Sequence, residues 1–247
     1  MSFEELFTDP AYMLYMISLC LFLPFFLISV IAQIRVQTVF AKYSKVPCSS
    51  GITAQGYARN FLLDSGLNNI TFKSVRGSLT DHFDPTNNTI ALSDTVRESS
   101  SVGAIGVACH EAGHAVQHAR KYFFSTLRIK LVPVVNAMSG CMWPLFIIGY
   151  IFGFANPGTL TGKIFIGMGL AVMGASLLFS LVTLPTEFDA SRRAYAYLKG
   201  CMLPEEARGV KKVLRAAAWT YIASFMMTSL QFIRLLALLM MSGRKRR

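Results

Sequence analysis

Four stretches of this chain run for more than twenty residues with almost no charge, and nothing else in the sequence limits its fold so strongly. A helix needs about 20 apolar residues to cross the hydrocarbon core of a bilayer. Ala11 to Ile34, Leu131 to Phe154 and Ile164 to Leu184 carry no charge at all. Ala217 to Met241 is interrupted only by Gln231 and Arg234. The composition agrees: 53% of residues are hydrophobic and 15% charged, against about 25% charged in ordinary soluble domains. Disorder needs the opposite balance. A disulfide scaffold is also excluded, because the five cysteines are odd in number, scattered and form no C-x-x-C pair. A mainly α membrane protein with four hydrophobic helices is expected.

Pro24 inside the first stretch, and Glu4, Glu5 and Asp9 before it, argue against a cleaved signal peptide, which begins basic. A retained anchor over residues 1–34 is the expectation. Gly167, Ala171 and Ala175 in the third stretch recur every four residues, a spacing that lets another helix approach closely. Eleven Lys and Arg lie between Arg35 and Lys130 and seven more between Pro185 and Ala216. The connector Ala155 to Lys163 has one. The positive-inside rule therefore puts both long polar regions in the cytoplasm. The net charge of +11 reads as loops facing anionic lipid rather than nucleic acid, for which no recognition motif is present. A spanning fourth stretch would leave Arg244, Lys245, Arg246 and Arg247 outside, so that stretch either spans or lies re-entrant or interfacial. The implied division is 1–34 anchor, 35–130 cytoplasmic catalytic region, 131–184 membrane hairpin, 185–216 cytoplasmic helix, and 217–247 membrane helix with basic tail.

Within the polar regions, Ser50 to Leu63 reads as an amphipathic helix closed by Gly66, with Ile52, Tyr57, Phe61 and Leu62 on one side. Ile70 to Arg76 alternates like a strand, His82 to Asn88 signals a turn, and Thr89 to Leu92 reads as a second strand. Ser99, Ser100 and Ser101 offer caps for a helix running to about Tyr122. Thr186 to Leu198 predicts a helix opened by Glu187, and Pro204-Glu205-Glu206 opens the next.

The chemistry concentrates in His110-Glu111-Ala112-Gly113-His114. Positions i and i+4 share a helix face, so both imidazoles can reach one metal ion, and Glu111 can take a proton from a water bound there. Zinc then needs a third protein ligand and an open position. His118 lies about 12 Å along the axis from His110 and is too distant. Gln117 and Arg120 stand where a metzincin carries Gly and His. Glu187 is the better candidate, because two crossings return the chain to the same side of the membrane. Gly113 would let the Glu187 helix pack close.

Val107 to His118 resembles the signature of the putative neutral zinc metallopeptidases of bacterial membranes, the YugP-like family. So do Leu79-Thr80-Asp81-His82-Phe83-Asp84-Pro85 and Leu184 to Ala194. More distantly the chain is similar to the HtpX and CAAX prenyl protease gluzincins. The resemblance implies one Zn2+ per chain held by His110, His114 and Glu187, with Glu111 as catalytic base. It also implies a cytoplasmic α+β, zincin-like catalytic region with a small β-hairpin, in a multi-pass protein of the bacterial cell membrane. In the wider group an Asp follows the ligand Glu by four residues and steadies a ligand histidine; here that position is Ser191. Asp84, Asp94 or a backbone carbonyl are the alternative supports.

Candidates for stabilising the oxyanion are Tyr195, Arg192, Arg193 and His82. Thirteen residues separate His118 from Leu131, which puts the site within about 20 Å of the bilayer surface. The expected partners are the lipid bilayer and a membrane-associated polypeptide substrate, with the Thr89 to Leu92 strand offering an edge to an extended peptide. The rival classes are a non-catalytic, zinc-stabilised scaffold, which gains nothing from Glu111, and a metal transporter, which would carry its ligands inside the membrane segments.

Overall fold

A computed structural model of the chain describes residues 9–149 and 160–244. In chain order the elements are α1 (Pro10–Tyr43), α2 (Ala54–Asp64), β1 (Thr71–Val75), β2 (His82–Asp84), β3 (Thr89–Ser93) and α3 (Asp94–Arg97), followed by α4 (Val102–Ala119), α5 (Phe123–Gly149), α6 (Leu160–Cys201) and α7 (Pro204–Arg244). The described residues fall into two compact units. Glu4, Glu5 and the tail residues Lys245, Arg246 and Arg247 lie outside them, as does most of the connector after Phe154.

One unit gathers the apolar parts: α1 up to Val30, α5 from Ile129, α6 up to Leu181 and α7 from Ile222. Among the described residues, three helices are long and apolar enough to cross a membrane, α1, α6 and Pro204–Met241 of α7. The stretch expected at Leu131 to Phe154 is helical as far as Gly149 and then leaves the described residues. Large side chains such as Leu23, Ile31 and Leu178 are exposed, as lipid-facing residues would be. The close approaches in α6 fall on Gly169 and Gly174 rather than on Gly167. Added Cβ atoms there would lie 3.4 Å from Leu235 and 3.5 Å from Phe232 of α7, whereas Gly167 faces open space. Arg234 stacks its guanidinium 5.3 Å from the Phe22 ring centre, which gives the one charge of that stretch a cation–π partner.

The other unit is built around α4. Ser101 caps it, its hydroxyl accepting from the Ala104 amide at 3.3 Å, an arrangement worth about 1 kcal/mol. Residues 46–48 pair with the chain entering that cap: Cys48 N–H donates to Ser100 O and Val102 N–H to Val46 O. Small residues let neighbours close around the helix, with Gly103 against the Tyr43–Ser44 backbone and Gly106 against Val210. Its buried side packs Ile105 and Ala108 among Tyr57, Phe61 and Leu62 of α2 and Ile90 and Leu92 of β3. The Ile52 side chain, expected on that face, is exposed, because α2 begins only after its Thr53 cap.

The sheet departs from the expected hairpin by one strand. β3 is central, antiparallel to β2 (Phe83 opposite Ile90) and parallel to β1 (Phe72 opposite Ile90). The expected turn at His82 is strand, and the turn proper follows it, with Asn88 in the left-handed region at φ 49°. Both edges of β3 are therefore occupied and all five of its residues buried, so Thr89 to Leu92 offers no edge to a peptide. The expected helix start near Glu187 is absent too. α6 runs unbroken through Pro185, and Thr186 turns its hydroxyl back onto the Val182 carbonyl at 3.0 Å.

Candidate metal centre

α4 presents His110 and His114 one turn apart, and α6 brings Glu187 against them. Gly113 makes that approach possible: a Cβ there would sit 2.7 Å from the Ala190 carbonyl oxygen, a backbone atom that cannot step aside. His110 Nε2 lies 3.1 Å from Glu187 Oε2 and His114 Nε2 lies 3.6 Å from Glu187 Oε1. One ligand atom from each of the three residues lies within 4.8 Å of the others. A tetrahedral ion about 2.05 Å from each donor would set neighbouring donors about 3.3 Å apart. The spacing and the donor set, two imidazoles and a carboxylate, fit a zinc ion with one position left open.

Each histidine is held through its other nitrogen. His110 Nδ1–H faces the Ser191 hydroxyl at 3.2 Å, so Ser191 takes the place of the usual Asp. His114 Nδ1–H donates to Gln117 Oε1 at 3.0 Å. Gln117 is itself fixed, because its amide nitrogen donates to Thr186 O at 2.8 Å and to Asp189 Oδ2 at 3.0 Å. With both amide hydrogens taken, only the oxygen can turn to His114. Asp189 in turn is anchored by Arg192 and Arg193. These contacts turn both Nε2 atoms toward Glu187. Asp84 and Asp94 are engaged elsewhere, with Asn87 and Ser74.

Glu187 is 2% exposed, and its charge is met from several sides. Arg128, from the second turn of α5, donates to Oε1 at 2.7 Å. The Tyr221 side chain of α7 stands near the same carboxylate. Burial on its own would push the His110 imidazole down. The hydrogen bond and charge of Glu187, joined by the charge of Glu111, outweigh it and hold His110 above its ordinary value. Glu111 is buried on the same turn as His110. Across from it, Asp81 accepts from the Ser93 amide and hydroxyl. Burial raises the Asp81 carboxyl, against the pull of Ser93, and the nearby Glu111 charge adds to the rise.

The other expected side chains do not join the cluster. Tyr195 packs on the core and under the Lys211 ammonium. His82 bonds its own neighbour's carbonyl, Thr80 O, on the exposed face of β2. Arg192 is 79% exposed and turned to Asp189. Of the residues that do surround the site, Gln117 lies within the Val107 to His118 signature, whereas Arg128 and Tyr221 carry no motif signal. Arg128 reads in the sequence as one more cation before an apolar stretch, and Tyr221 as part of one.

Gln117→Ala should lower zinc affinity by about 10–100-fold, the usual cost of losing an outer partner of a ligand histidine. Competition against a chromogenic chelator measures it, and an unchanged affinity would show that Gln117 does not orient His114.

The family described as "Putative neutral zinc metallopeptidase" matches residues 18–240. The chain is 41% identical over 215 residues to "Putative membrane protease YugP" of Bacillus subtilis (strain 168), an alignment covering 86% of this chain and 92% of that protein. No solved structure gives a significant match.

Proposed function

The chain belongs to the family of putative neutral zinc metallopeptidases, and from that premise we propose that it is a membrane-embedded, zinc-dependent metalloendopeptidase of gluzincin type. The observation that carries this reading is the convergence of His110, His114 and buried Glu187, with Glu111 beside the first histidine. Its substrates are polypeptides in or next to the membrane. The reading includes a multi-pass protein of the bacterial cell membrane, and the Lys and Arg distribution supports a catalytic region on its cytoplasmic face.

His110, His114 and Glu187 would hold one zinc ion, which lowers the pKa of a bound water and polarises the scissile carbonyl. Ser191 and Gln117 keep both imidazoles in the tautomer that leaves Nε2 free. Glu111 takes the proton of the attacking water and returns it to the leaving amine. Negative charge developing on the carbonyl oxygen is met by Arg128, whose guanidinium has donors to spare beyond the one on Glu187. An extended substrate segment adds to the free edge of β2, whose Phe83 ring lies 5.8 Å from that of His118 on α4.

The test is zinc content of detergent-purified protein beside cleavage of an unfolded reporter, once tethered to a membrane helix and once soluble. One zinc per chain with faster cleavage of the tethered form is expected. Equal cleavage of both forms would remove the membrane-substrate assignment. Zinc without cleavage of either would favour the scaffold, and absence of zinc would remove the site.

A further inference from the structure

Away from the metal centre, α1 and α7 enclose a pocket of about 390 Å³ whose walls carry four cations and no acid. Arg35, Val39 and Lys42 line it from α1; Lys212, Arg215 and Trp219 line it from α7. Both sets follow helical spacing, so each helix turns one basic stripe into the same hollow. The volume lies within the roughly 300–1,000 Å³ range of ligand pockets. Among the described residues no carboxylate pairs with any of the four cations. The nearest acids along α7 are already used, Glu205 by Arg208 and Glu206 by the Ser49 amide. Four uncompensated cations around one cavity repel one another unless an anion sits among them.

The position says which anion. Arg35 is the first charge after the uncharged run that ends at Ile34. Arg215 is the last before residues 216–233, which carry none. Both helices are long and apolar enough to cross a membrane, so the cations stand where apolar helix gives way to polar, the depth of lipid headgroups. Trp219, 45% exposed, supplies the amphipathic aromatic ring typical of that depth. Arg is also the side chain suited to bidentate hold of a phosphate.

We propose that this pocket binds the phosphate of an anionic phospholipid. The test uses the full-length protein in neutral detergent, titrated with dioleoyl phosphatidylglycerol or dioleoyl phosphatidylcholine and read by native mass spectrometry. One phosphatidylglycerol retained in preference to phosphatidylcholine is expected. Arg35→Gln with Arg215→Gln should weaken that binding by about tenfold or more. Lys42→Gln with Lys212→Gln is the second pair and should do the same if the first fails to fold. Lys73→Gln with Arg76→Gln removes equal charge from exposed positions outside the pocket and should leave binding unchanged. Equal weakening by that control pair, or no preference between the two lipids, would overturn the proposal. Displacement of the lipid by millimolar inorganic phosphate would overturn the lipid assignment in favour of a soluble anion.

Discussion

Glu111→Gln protein is expected to bind one zinc per chain as the unaltered protein does and to cleave a peptide bond about 10²–10⁴-fold more slowly, the range that removal of a general base costs. In barrier height that is about 3–5 kcal/mol. The amide matches the carboxylate in shape and stays buried one residue from His110, so the packing of α4 has no reason to change. Glu111 is also not among the three residues whose donor atoms converge. A single-turnover assay with metal analysis on the same sample separates the two effects. Retention of more than a tenth of the activity would dismiss Glu111 as base, and loss of zinc along with activity would make its role structural.

Glu187→Ala has the opposite signature. The same chemical deletion, a carboxylate removed, strikes the metal first. Zinc affinity should fall by more than the roughly 10–100-fold that follows loss of an outer partner, because a donor itself has gone. Stability falls as well, since Arg128 and the two imidazoles all lose their shared acceptor. Stranding a buried charge costs about 3–5 kcal/mol. Arg128 keeps 29% of its side chain exposed and can turn to water, so about 2–3 kcal/mol is the expected loss. Chelator competition and thermal melting check the two parts separately. Normal zinc binding in Glu187→Ala would exclude it as the third ligand.

What could be read in advance was local. His110 and His114 are four residues apart, and a helix face does the rest; the Ser101 cap needs only its own neighbours. Glu187 was reachable because uncharged stretches can be counted. The rest depends on partners distant in the chain. β1 pairs with β3 across the turn that holds β2, a parallel crossover that alternation alone does not reveal. Pro185 reads as a helix break, yet α6 runs through it without interruption. Gln117 looks like any surface amide until Thr186 O and Asp189 take its two hydrogens. Arg128 and Tyr221 meet at Glu187 from two further helices, and their spacing in the sequence carries no trace of it.

The separation of 77 positions from His110 to Glu187 also sets a timetable for biosynthesis. When the ribosome has released α4, the nascent chain owns two imidazoles and no third donor, a poor hold on any ion. The carboxylate emerges only after α5 and the apolar half of α6 have been made, and Tyr221 later still. Closing so long a loop is slow compared with winding a helix. The cluster of three donors is therefore incomplete while the chain is being made, and closes only once most of its helices are in place. A chain truncated anywhere before Glu187 lacks the third donor of the cluster.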